Sequence, residues 1–114
     1  MVIYYNPDCS KCRNAKHLLE ENSCNFEIRE YLKVAPTEKE ISGLLKKLGC
    51  KAFDLVRQSE PIFIERFSGK KFNESQWINI LSEFPVLIER PIVIGGERAI
   101  IGRPPSLVLG ILQK

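Results

Sequence analysis

The spacing of apolar residues changes period several times along this chain, and each change marks an element. Val2, Ile3 and Tyr4 form a short apolar run that stops at Asn6-Pro7, which predicts a strand over residues 1–5. From Ser10 onward Ala15, Leu18 and Leu19 recur among Lys16, Glu20 and Glu21, which is helical spacing over residues 10–21. Residues 25–31 then alternate, with Phe26 and Ile28 on one face and Glu27 and Arg29 on the other, the period of a second strand. Strand, helix and strand together make a β-α-β unit, so the two strands are expected to be parallel with a right-handed crossover.

The middle of the chain reads as helical. Thr37 and Glu40 after Pro36 form a capping-box pattern, and Ile41, Leu44, Leu45 and Leu48 supply one apolar face before Gly49. A shorter helical piece is expected over residues 52–56, and residues 61–71 are expected to be irregular. Asn73 predicts the start of a further helix in which Trp77, Ile80 and Leu81 turn inward and which ends near Pro85; Trp77 and Phe84 read as core. In the last third, two apolar runs at 91–94 and 98–101 flank Gly95-Gly96, a hairpin signal. Pro104 and Pro105 lead into residues 106–112, where Leu107, Val108, Ile111 and Leu112 have helical spacing.

The element order is thus β-α-β, a helical segment of about residues 36–85, then β-β-α. This predicts an α/β fold with a thioredoxin-like mixed sheet and a helical insertion between its halves, in a single domain of residues 1–114. The length of 114 residues fits one modest core. A net charge of +3 is too small to argue for a nucleic-acid surface, and Lys46-Lys47 and Lys70-Lys71 read as solvated pairs. No apolar run approaches a membrane span. Asp8, Lys11 and Arg13 interrupt the N-terminal region before a secretory signal could form, so a reducing cytoplasm is expected.

Chemistry concentrates at Cys9 and Cys12, which fall where the first helix begins. Unpaired N–H groups and the positive end of the helix dipole stabilise a thiolate there, and the thiolate is the nucleophile. Lys11 and Arg13 add positive charge nearby, and the same setting suits an anionic substrate. Two other readings of the pair are weaker. A zinc site needs a second pair of ligands, whereas the sole histidine is His17 and Cys24 and Cys50 lie far apart. A structural disulfide between cysteines so close would constrain almost no loop. His17 reads as a surface residue of the first helix, and Cys24 and Cys50 as small, partly buried apolar residues. Pro91 precedes a predicted strand opposite the thiols, a position where thioredoxin-like folds commonly hold a cis proline.

The motifs also resemble a known family in order and nearly end to end: the glutaredoxin-coupled arsenate reductases and their wider group, which includes the Spx-type transcription regulators. Asn6-Pro7-x-Cys9-x-x-x-Arg13 resembles the catalytic loop, and Leu55-Val56-Arg57 the central arginine motif. Glu89-Arg90-Pro91-Ile92-Val93 resembles the arginine–proline strand entry, and Gly102-Arg103-Pro104-Pro105-Ser106 the final turn. The resemblance implies Cys9 as nucleophile, Arg57, Arg90 and Arg103 as oxyanion-binding groups, and Arg13 as a stabiliser of the thiolate, with Asn6 and Pro91 shaping the site. It implies arsenate or a similar oxyanion as substrate, glutathione as co-substrate, and glutaredoxin or thioredoxin as recycling partner. No metal and no tightly bound cofactor are expected, and neither nucleic acid, membrane nor a second subunit is an expected partner. Tyr5 stands where reductases of this type often carry a histidine, which predicts weaker thiolate character at Cys9. Cys12 matches the regulators, and it is a candidate resolving thiol for an intramolecular disulfide. Two rival functions follow: a redox-sensing regulator that binds RNA polymerase, and a general thiol–disulfide oxidoreductase.

Overall fold

The computed structural model describes residues 1–112 and divides the chain into two compact units. The first comprises Met1–Val34 and the residues from Arg90 onward; the second is Ala35–Glu89. Among the described residues no helix is long and apolar enough to cross a membrane.

In the first unit β1 (Val2–Tyr4), α1 (Ser10–Glu21) and β2 (Glu27–Arg29) form the expected β-α-β, with β1 and β2 parallel and Ile3 opposite Ile28. The hairpin of β3 (Ile92–Gly95) and β4 (Arg98–Ile101) adds antiparallel to the other side of β1, giving the order β2-β1-β3-β4. Gly96 takes φ 61° at the hairpin turn, a conformation that favours glycine. Ile3, Ala15, Leu19, Val93, Val108 and Ile111 pack into one aliphatic core. The two faces of β2 are less distinct than their alternation suggests. Phe26 packs against the core, but Ile28 is 45% exposed, because β2 is an edge strand with only one neighbour.

The C-terminal helix differs from expectation in its winding. Residues Pro105–Leu112 form a 3₁₀ helix instead of an α-helix. Three residues per turn bring Val108 and Ile111 onto one side, and both are buried while Leu107 is exposed. The side chain of Leu112 lies outside the described residues. Just before this helix Gly102 donates its N–H to the Pro91 carbonyl at 2.8 Å, and a Cβ there would lie 2.8 Å from Val108 and 2.9 Å from Pro91. Only glycine lets the two segments approach so closely.

The second unit holds α2 (Glu38–Leu48), α3 (Pro61–Arg66) and α4 (Glu74–Glu83), with short 3₁₀ turns at Ala52–Leu55 and Pro85–Leu87. The expected capping box of α2 is formed, and α4 starts on a second one. Thr37 accepts from the Glu40 N–H while Glu40 accepts from the Thr37 N–H, and Asn73 and Gln76 do the same for α4. Gly49 closes α2 in the left-handed conformation at φ 71°.

The stretch expected to be irregular is instead a helix over its first half. Pro61 occupies the first turn of α3, where its missing N–H costs nothing, and Phe63 and Phe67 turn inward. Trp77 receives them at 6.3 Å between ring centroids and meets Phe53 and Phe72 at 5.2 and 5.0 Å. Phe84 joins this group through Phe67, at 5.5 Å, although it is only half-buried.

Candidate active site

The loop between β1 and α1 is built by its own hydrogen bonds. Asn6 accepts the Cys9 N–H on its carbonyl at 3.0 Å and the Asp8 N–H on its side-chain oxygen at 3.0 Å. Arg13 reaches back from α1 to donate to the Pro7 carbonyl at 2.7 Å. These bonds hold Cys9 in extended backbone at the N-cap of α1, where it is 8% exposed. Cys12, one helical turn on, is fully buried.

The two thiols are pushed apart in acidity. Burial raises the Cys9 thiol, but the Arg90 guanidinium, the Cys12 backbone N–H and the Cys12 S–H all favour its thiolate, and together they bring its pKa down to about 7. Burial, against the lowering effect of the Asn6 backbone N–H and with the help of the neighbouring Cys9 sulfur, pushes Cys12 up to about 12. Near neutral pH Cys9 is therefore partly thiolate while Cys12 stays a thiol that donates to it. Tyr5 supplies no charge at this centre; its ring lies 5.8 Å from the Lys16 ammonium.

Arg90 enters from the segment before β3, and the Arg90–Pro91 and Arg103–Pro104 bonds are both cis. Arg103 donates its Nε to the Arg90 carbonyl at 2.7 Å, so the two arginines meet through the backbone that carries the first. Arg57 belongs to the second unit, where its N–H bonds the Leu87 carbonyl at 2.8 Å and its Nη1 pairs with Glu89 at 2.8 Å. Its Nε is buried without a partner among the described residues. Among the charges acting on Cys9, Arg90 stands out; Arg13 serves the loop through Pro7.

The remaining candidates lie where the sequence suggests. His17 is exposed and pairs with Glu21 at 2.8 Å, one turn along the surface of α1. Cys24 and Cys50 are free and half-buried, and burial raises the Cys50 thiol. One residue escaped the sequence reading altogether. Tyr31 follows β2, is fully buried, and lies close enough to Arg90, Cys12 and Cys9 for each to act on its hydroxyl. Its place in the alternating segment makes it look like an ordinary strand residue, and no local signal distinguishes it.

A cysteine at a helix start, beside a guanidinium from the segment that leads into the antiparallel strand β3, fits a thioredoxin-like protein. Residues 4–111 match the model of the ArsC family, and the chain belongs to that family. It is 38% identical to the arsenate reductase of Haemophilus influenzae over 117 residues, covering 98% of both chains. It is 39% identical over 112 residues to the uncharacterized protein YfgD of Escherichia coli, covering 96% and 94% of the two chains. The structure of an arsenate reductase from Vibrio cholerae superposes with a TM-score of 0.92 at 36% identity, over 96% of this chain and 95% of that one.

Proposed function

We propose that this protein is a cytoplasmic arsenate reductase that works through a single catalytic thiolate, Cys9, and draws its electrons from glutathione. The observation that carries this reading is the pairing of Cys9 with Arg90, which favours the thiolate and offers fixed donors to an anion at the same place. Arg103, which donates to the Arg90 carbonyl, is the second proposed oxyanion ligand.

The Cys9 thiolate attacks the arsenic of arsenate and displaces one oxygen as hydroxide or water, forming an S–As bond. The arginines bind the oxygens that gain negative charge as the centre expands. A glutathione thiolate then attacks the Cys9 sulfur. The S–As bond breaks, its electron pair stays with arsenic, and arsenite departs. Two thiols have become one mixed disulfide, which balances the two-electron reduction. Glutaredoxin releases Cys9 by thiol exchange. Glutathione is favoured over Cys12 as the attacking thiol because Cys12 is fully buried and its own thiol is pushed up to about 12.

An arsenate-dependent NADPH-consumption assay, run separately with glutathione plus glutaredoxin and with thioredoxin, tests the reading. Turnover is expected with the first system, abolished by Cys9→Ser and retained in Cys12→Ser. Absence of arsenate dependence in both systems overturns it. Thioredoxin-driven turnover that Cys12→Ser abolishes would make Cys12 the resolving thiol.

A further inference from the structure

Tyr31 is held with little freedom. Its ring is fully buried and stacks on Tyr4 of β1 at 6.0 Å between centroids and 16° between planes. Its hydroxyl is buried, and although the Arg90 guanidinium acts on its oxygen, its own O–H meets no acceptor among the described residues. Leaving such a group unpaired costs on the order of 1–3 kcal/mol, so a hydroxyl of this kind calls for an explanation. The groups that face it are the Arg90 guanidinium, the Cys12 thiol and the Cys9 sulfur. A guanidinium only donates. The Cys12 S–H is given to Cys9, and the Cys9 sulfur already receives donors from both Arg90 and Cys12. The cluster is therefore rich in donors and short of one acceptor. An anionic oxygen brought to Cys9 would supply it.

We propose that the Tyr31 hydroxyl is an oxyanion-binding donor, reserved for one oxygen of the tetrahedral anion that Arg90 holds against Cys9. The inference rests on reading Cys9 as the attacking thiolate of an oxyanion site. A phenol is suited to the task because it stays protonated: burial pushes Tyr31 up to about 12, against the lowering effect of Arg90. It adds a directed bond without a further charge beside the arginines.

Tyr31→Phe removes the hydroxyl and keeps the stacked ring. The readout is the protection of Cys9 against iodoacetamide by inorganic phosphate, sulfate or arsenate, with the modified cysteine located by mass spectrometry. The variant is expected to need about tenfold more anion for equal protection, the worth of one hydrogen bond to a charged group. Its melting temperature should hold or rise, since an unpaired buried hydroxyl has gone. Equal protection in variant and parent overturns the proposal, as does a parent whose Cys9 none of the three anions protects. A lower melting temperature with Cys12 newly open to alkylation would make the hydroxyl structural and also overturns it. Arsenate turnover is scored separately. Turnover with protection indifferent to Tyr31 removes this role alone, whereas Tyr31-dependent protection without turnover keeps the anion site and removes the reductase reading.

Discussion

The sheet unit and the helical unit solve the problem of a small core in opposite ways. The first packs aliphatic side chains, Ile3, Leu19, Val93 and Val108, and sets beside them the buried Cys9, Cys12 and Tyr31, with the half-buried Arg90 near them. The second gathers rings around Trp77, and the prominent ion pair it carries, Arg57 with Glu89, joins two short extended segments. A buried thiolate and an unpaired phenol weaken a fold, whereas interlocked rings strengthen one. The contrast separates the region that gathers the thiols, the phenol and Arg90 from the region where packing dominates.

The sharpest way to break the contrast is to remove the hub of the ring cluster. Trp77→Ala should lower stability by about 3–5 kcal/mol in urea denaturation, the range for truncating a large buried aromatic. A loss under about 1 kcal/mol would show that the rings pack side by side without depending on Trp77. The next largest effect belongs to the site. Cys9 alkylation in the parent should rise as pH increases through about 7, because the thiolate reacts and the protonated thiol does not. In Arg90→Ala burial acts with less opposition, so the midpoint should move up by at least about one unit and the rate at pH 7 should fall at least about fivefold. An unmoved midpoint would assign the thiolate to the helix start and Cys12 alone.

What the sequence disclosed follows the same division. The starts of α2 and α4 were legible because a capping box is local: Thr37 and Glu40, or Asn73 and Gln76, meet across three residues whatever surrounds them. Helix α3 was not, because it is six residues long and rests on Phe63 and Phe67 meeting Trp77, a contact between segments. Alternation assigned Ile28 to a face but could not show that an edge strand leaves that face open. At the site, Cys9 announced itself through its spacing from Cys12 and the helical pattern that follows. Arg90 was legible only through the family motif, since its approach to Cys9 depends on β3 lying antiparallel to β1. Tyr31 depends on the same topology and matched no motif. Arg57 could be named from its motif, but its partner Glu89 stands 32 residues away and carries no signal of the pairing.

The smallest expected effect tests whether local signals in the helical unit act locally. The Thr37 hydroxyl accepts from the Glu40 N–H at 3.1 Å, and the Glu40 carboxylate accepts from the Thr37 N–H at 3.0 Å. Thr37→Ala deletes the first bond and should cost about 1 kcal/mol in the same urea experiment. Thr37→Ser keeps the oxygen and should cost a few tenths at most. Because the two bonds brace one another, Thr37→Ala combined with Glu40→Ala should cost less than the sum of the single changes. The midpoint for Cys9 alkylation should stay near pH 7 in all three. A cap variant that moved it would mean that the Thr37 cap is felt at the Cys9 thiol, and the division between packing and chemistry would then fail at its most local element.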